Sequence, residues 1–518
     1  MTQKGVPPGV DSAPAVPRPA PAAPRPAPRP SVKKTLDKDL KKLVRIEEAT
    51  QQAGRRLTGL GIGVIFLALV WWFSALQTGD GAGGVFIILA GIVGGYMALN
   101  IGANDVANNV GPAVGARALT MTGALVIAAV FETMGALLAG GEVVATVSKG
   151  IIDPTRFESG DVFVTAMLAA LFAAALWVNL ATYVSAPVST THAIVGGVMG
   201  AGIATAGFDV VAWGTMAKIA ASWVISPLLG GTIAALFLAF INRAIVYQDD
   251  KIAAAKRWVP VLVAIMAGVF STYLVMKGLK RVWTPELWLV ALIGLAIFAA
   301  AYAAIKPLVA RRAEGMENRN ESVRSLFTIP LICSVALLSF AHGSNDVANA
   351  VGPLSAIVGV VGSGDISAKV EIPLWVMLIG AAGISLGLVL FGPKLVRRVG
   401  QEITKMNPMR AYCVALSAAI TVILASALGL PVSSTHIAVG AIFGVGFFRE
   451  YFSARRSRVR RYDPGKETTG NGNNNGEIIR RRKLVRRSHL MTIVAAWVIT
   501  VPATAVMAGG LFFAFSAL

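Results

Sequence analysis

The chain has 518 residues, 55% of them apolar and only 14% charged, with a mean hydropathy of +0.66. An average soluble domain carries about 25% charged residues, so this composition excludes an ordinary soluble globular protein and points to a polytopic membrane protein. The formal charge of +20 does not argue for a nucleic-acid partner: most Lys and Arg are gathered in the segments 1–57, 242–258, 306–325, 393–410 and 449–489, which flank or separate apolar runs, as cytoplasmic loops do.

In chain order, residues 1–32 form a Pro-rich tail predicted to be disordered. Residues 33–57 place Leu36, Leu40, Leu43 and Val44 on one helix face among lysines, which predicts a cytoplasmic amphipathic helix. Apolar runs long enough to cross a bilayer core follow at 58–75, 84–101, 119–139, 162–183, 188–206, 211–240, 259–276, 287–305, 326–341, 372–390, 411–430, 432–448 and 491–515. The predicted fold is an all-α polytopic membrane protein with about 12–13 transmembrane helices. It is expected in the cell membrane, with its N-terminus and basic loops cytoplasmic and the acidic loop 141–161 outside. Segments 105–118 and 346–361 are interrupted by Gly111-Pro112 and Gly352-Pro353, and read as broken, re-entrant half-helices. Residues 463–477 read as a disordered tip of the basic loop 449–489.

The chain repeats itself. Ala103–Pro112 reads ANDVANNVGP and Ser344–Pro353 reads SNDVANAVGP; Pro187–Gly200 reads PVSTTHAIVGGVMG and Pro431–Gly444 reads PVSSTHIAVGAIFG. Both pairs occur in the same order at nearly the same offset, so the chain divides into a first repeat, 84–241, and a second, 326–448. Residues 58–83 add a helix and loop ahead of them, 242–325 connect them, and 490–518 add a terminal helix. The predicted topology gives the repeats opposite senses, which is an architecture of secondary transporters.

The repeated residues carry the chemistry. A charge inside a bilayer costs about 2.5–3.5 kcal/mol on insertion scales, yet Asp105 and Asp346 each end an apolar run, flanked by Asn104 and Asn108 or by Asn345 and Asn349. Carboxylate and amide oxygens are hard ligands for a Na⁺-like cation, and a carboxylate can also carry a proton; Asn and Asp cap helices as well. Ser189, Thr190 and Thr191, with Ser433, Ser434 and Thr435, offer hydroxyls beside free N–H groups at two helix starts, which suits an oxyanion. His192 and His436 follow directly and are either packed or able to donate to the anion. Hydrogen phosphate can donate its O–H to a carboxylate where sulfate cannot, which favours phosphate. Glu132, in the middle of a span, is a functional candidate by default. Cys333 and Cys413 read as small buried hydrophobes. No HExxH, GxSxG or P-loop is present, so no enzyme is expected, and no cofactor beyond a transported coupling ion.

At GANDVAN (Gly102–Asn108), GSNDVAN (Gly343–Asn349), the two PVS[TS]TH segments and FETMGALLAG (Phe131–Gly140), the chain resembles the inorganic phosphate transporter family, the Pit-type permeases. The resemblance implies import of inorganic phosphate, free or as a divalent-metal complex, in symport with H⁺ or Na⁺, with twelve core helices in an inverted repeat. It implies phosphate binding by Ser189, Thr190, Thr191, Ser433, Ser434 and Thr435. It implies cation binding or coupling by Asn104, Asp105, Asn108, Asn345, Asp346, Asn349 and Glu132, with Na⁺ as the metal at Asp105 and Asp346. The partners expected are phosphate, the cation and the lipid bilayer, with homo-oligomers compatible. A sulfate permease of the same family and an anion channel are the alternatives.

Overall fold

In hydrocarbon a backbone must satisfy its N–H and C=O groups internally, and the computed structural model is almost wholly helical. It describes residues 57–78, 83–278 apart from 185 and 187, 283, 285–366, 372–402, 406–461 and 487–517. The Pro-rich tail, the predicted helix 33–57 except Leu57, the tip 463–477 and Pro187 lie outside the described residues. The helices belong to a unit spanning Gly59–Leu518; of the other unit, Met1–Thr58, only the last two residues are described.

Helix α1 is Leu57–Leu76. The first repeat contains α2 (Gly84–Gly115), α3 (Met121–Ala139), α4 (Gly141–Lys149), α5 (Gly160–Tyr183), α6 (Thr190–Ala206) and α7 (Trp213–Ile241). Helices α8 (Lys251–Tyr273), α9 (Leu287–Arg312) and the short α10 (Asn320–Leu326) connect it to the second repeat. That repeat contains α11 (Thr328–Ser363), α12 (Leu374–Glu402), α13 (Pro408–Ala427) and α14 (Ser434–Arg461), and α15 (Arg487–Ser516) follows. Sequence-encoded caps start several helices: Thr120 accepts from the Gly123 N–H, Ser159 from Val162, Asp250 from Ala253 and Asn407 from Arg410.

Among the described residues, eleven helices are long and apolar enough to cross a membrane, so the chain is a multi-pass membrane protein. The two predicted crossings that fall short are α6 and α14. Helix α6 has 17 residues, about 25 Å at 1.5 Å per residue against a core of about 30 Å. Helix α14 turns Arg-rich in its second half.

This corrects the placement of the broken elements. Residues 105–118 and 346–361 are not half-helices: α2 runs unbroken for 32 residues through Pro112, and α11 for 36 through Pro353. A proline inside a helix removes one N–H and leaves the carbonyl four residues back without its usual donor. Those carbonyls belong to Asn108 and Asn349, inside the motif. The chain breaks instead ahead of Ser189 and Ser433, where α6 and α14 begin in the protein interior.

The two repeats pack by exchange. Helix α12 lies along α2, and α3 lies along α11; α15 lies along α6, and α14 along α7. A first element of one copy against a second element of the other, in both directions, is the signature of a two-fold relation. Small residues make the crossings. A Cβ on Gly102 would meet the backbone of Ile384, and one on Gly387 that of Leu99; equivalently, Gly343 faces Glu132 and Gly135 faces Phe340. The second pair of crossings uses Gly196 and Gly200 of α6 against α15, and Gly440 and Gly444 of α14 against α7. Backbones this close replace hydrophobic burial as the source of association in lipid.

Candidate functional site

The exchange brings the centres of α2 and α11 to the starts of α6 and α14. Asp105, Asp346, His342, Glu132 and the Asn, Ser and Thr residues of both motifs are all buried. At the helix starts Ser189 Oγ accepts from the His192 N–H at 3.1 Å and Ser433 Oγ from the His436 N–H at 3.3 Å. These two serines are therefore N-caps, with their own O–H still able to donate.

The remaining hydroxyls tie the helix starts to the carboxylates. Thr190 Oγ1 donates to Asp105 Oδ2 at 2.9 Å and Thr435 Oγ1 to Asp105 Oδ1 at 3.0 Å, so Asp105 holds the starts of α6 and α14 at once. Ser434 Oγ donates to Asp346 Oδ2 at 3.0 Å. Asn108 Nδ2 donates to Thr435 Oγ1 at 2.8 Å, and across the two-fold Asn349 Nδ2 donates to Thr190 and Thr191 at 3.2 and 3.1 Å. Thr191 itself donates to the Val432 carbonyl at 2.9 Å.

Two predicted ligands do different work. Asn345 donates to Ser426 Oγ and the Leu430 carbonyl and accepts from the Val432 N–H, which braces the loop ahead of α14. Asn104 likewise donates to Thr182 Oγ1 and the Ala186 carbonyl ahead of α6. The rings of His192 and His436 lie 4.5 Å apart, and Trp223 lies 3.8 Å from His192.

Two contributors are not legible as site residues in either motif copy. His342 places Nδ1 3.2 Å from Glu132 Oε1 and Nε2 2.9 Å from Asp346 Oδ2, and Asn109 Nδ2 donates to the same Glu132 oxygen at 2.7 Å. The only sequence signal was asymmetry: Ile101 stands where His342 stands in the second copy, and Ala350 where Asn109 stands in the first.

Ligand atoms of Asp105, His342 and Asp346 lie within 4.8 Å of one another. Asp346 Oδ1, Asn349 Oδ1, Asn104 Oδ1 and Glu132 Oε2 are buried acceptors without a hydrogen-bond partner among the described residues. Two nearby buried carboxylates repel, and a bare acceptor is costly to bury; a hard cation between Asp105 and Asp346 would relieve the repulsion and give Asp346 Oδ1 a partner. The first turns of α6 and α14 meanwhile present N–H groups that helix geometry leaves without intrahelical partners, with the positive ends of both dipoles.

A family model described as the phosphate transporter family matches residues 101–508. A protein of Helicobacter pylori (strain J99), provisionally named a phosphate permease, is 43% identical over 92% of this chain and 98% of its own. A similarly named protein of Pyrococcus abyssi is 37% identical over 72% of this chain and 92% of its own. A solved structure titled the sodium-dependent phosphate transporter superposes with a TM-score of 0.74 at 34% identity, covering 84% of this chain and all of that one.

Proposed function

The chain belongs to the phosphate transporter family, and from that premise we propose that it is a secondary active transporter that imports inorganic phosphate across the cell membrane in symport with Na⁺, its N-terminus cytoplasmic. The observation that carries the reading is Asp105, buried and hydrogen-bonded by Thr190 of one repeat and Thr435 of the other. A cation at such a carboxylate fastens α6 and α14 to α2, and the helix starts so fastened are the anion's own cradle. Cation and anion then stabilise one another: the cation offsets the carboxylate charge that would repel phosphate, and phosphate supplies charge to hold the cation. Oxygen donors of carboxylate, amide and hydroxyl type suit Na⁺, and the similar solved structure is titled sodium-dependent. The pairing also favours hydrogen phosphate, whose O–H can face a carboxylate oxygen, over sulfate.

Purified protein in proteoliposomes should take up labelled phosphate when Na⁺ is higher outside. Tenfold excess sulfate should leave that uptake unchanged. Uptake driven equally well by a pH gradient without Na⁺ would replace Na⁺ by H⁺, and uptake indifferent to any gradient would refute symport. Currents far above carrier turnover would make it a channel.

Thr435→Val should raise the half-saturating Na⁺ concentration about tenfold, since a hydrogen bond to a charged group is worth about 1.5–3 kcal/mol. Thr191→Val, its counterpart, should shift it less, because Thr191 donates to a main-chain carbonyl. Na⁺ titrations of phosphate uptake by both variants check the contrast.

A further inference from the structure

The two ten-residue motif copies differ at two positions, and one of them is Asn109, where the second copy has Ala350. Asn109 starts a buried chain: its amide donates to Glu132 Oε1 at 2.7 Å, that oxygen lies 3.2 Å from His342 Nδ1, and His342 Nε2 lies 2.9 Å from Asp346 Oδ2. All four side chains are at most 1% exposed. The chain crosses from the first repeat to the second, from α2 through α3 to α11. It has no equivalent across the two-fold. Ala350 replaces Asn109, Ile101 replaces His342, and Ile384, whose backbone faces Gly102 as that of Glu132 faces Gly343, replaces Glu132.

We propose that Asn109 is a positioning residue for cation binding: it pins Glu132, which fixes His342, which occupies Asp346 Oδ2 and leaves Asp346 Oδ1 for the coupling cation. This rests on the reading of the site as Na⁺-coupled. Asp105 needs no such support, because two threonine hydroxyls already fix both its oxygens. Asp346 has only Ser434 and His342, both at Oδ2, while its Oδ1 has no hydrogen-bond partner among the described residues. The angle at which Oδ1 is presented is therefore set by Ser434 together with the chain that begins at Asn109. Groups that orient a metal ligand typically change affinity by about 10–100-fold when removed.

Asn109→Ala installs the residue of the second copy in a helix that tolerates it there. It should raise the half-saturating Na⁺ concentration about tenfold, while the phosphate KM and maximal rate at saturating Na⁺ stay within about twofold of the wild type. A merely structural role would lower the melting temperature without ligand and shift both substrates alike. Binding is read independently of turnover from Na⁺-induced thermal stabilisation of the purified, phosphate-free protein. In a Glu132→Gln background, adding Asn109→Ala should cause no further loss of that stabilisation, because the amide acts only through the carboxylate. Full Na⁺ stabilisation in Asn109→Ala, or losses that simply add in the double variant, would overturn the assignment while leaving the transport reading intact. No Na⁺ stabilisation in the wild type would overturn Na⁺ coupling, and this role with it.

Discussion

Asp105→Asn is expected to lower Na⁺-driven phosphate uptake by about 100-fold or more while the protein still inserts and folds. The exchange is nearly isosteric, and the asparagine can still accept from one threonine and donate to the other, so the anchoring of α6 and α14 survives in outline. What is lost is the charge. Removing one member of a buried ionic pair costs about 3–5 kcal/mol, which is a factor of about 100 or more in binding. The same exchange at Asp346 should be nearly as severe. Uptake in proteoliposomes, read beside a melting curve without ligand, separates lost coupling from lost folding. Wild-type rates in both variants would show that neither carboxylate holds the ion.

Gly343→Val should cause a large loss of folded protein. The new Cβ would be driven into the backbone of Glu132 on α3, and the reciprocal contact, Gly135 against Phe340, lies on the same crossing and cannot yield independently. Overpacking of this kind costs about 1–3 kcal/mol, occasionally more. Because the blocked backbone is that of Glu132, the residue pairing with His342, surviving protein should also show weakened Na⁺ dependence. Gly362, on the same helix, has open space where a Cβ would go, so Gly362→Val is the control. Yield of monodisperse protein and its melting temperature test the pair; equal behaviour would mean that the close crossing does not bear on stability.

The membrane character, the duplication and the residues of the paired motifs were legible in the sequence because each rests on pattern: long apolar runs, co-spaced copies, and charged or amide groups where hydrocarbon forbids them without reason. The position of the breaks was not. Gly-Pro inside α2 and α11 looked like a stop, but an interior proline costs one hydrogen bond, and neighbouring helices keep the element straight enough to continue. The breaks lie ahead of Ser189 and Ser433, where a serine cap starts a helix afresh. His342 escaped because a lone histidine in an apolar run reads as packed; its partners, Glu132 and Asp346, come from two different helices that only the fold brings together. Asn109 escaped because its meaning lies in what the other copy lacks.

The frame of this protein obeys a two-fold rule, but the polar wiring from Asn109 to Asp346 does not. A carrier built so is handed. Under the proposed Na⁺ symport, phosphate and the cation arriving from one face would encounter a differently arranged half-site first than those arriving from the other, and the apparent affinities on the two faces would be free to differ. Energy conservation sets a limit on that freedom: the concentration ratio at which net flow stops depends only on the gradients and the number of ions moved per phosphate. Handedness can therefore favour loading from the dilute side and release into the concentrated one, and change how fast the balance is approached, without moving the balance point.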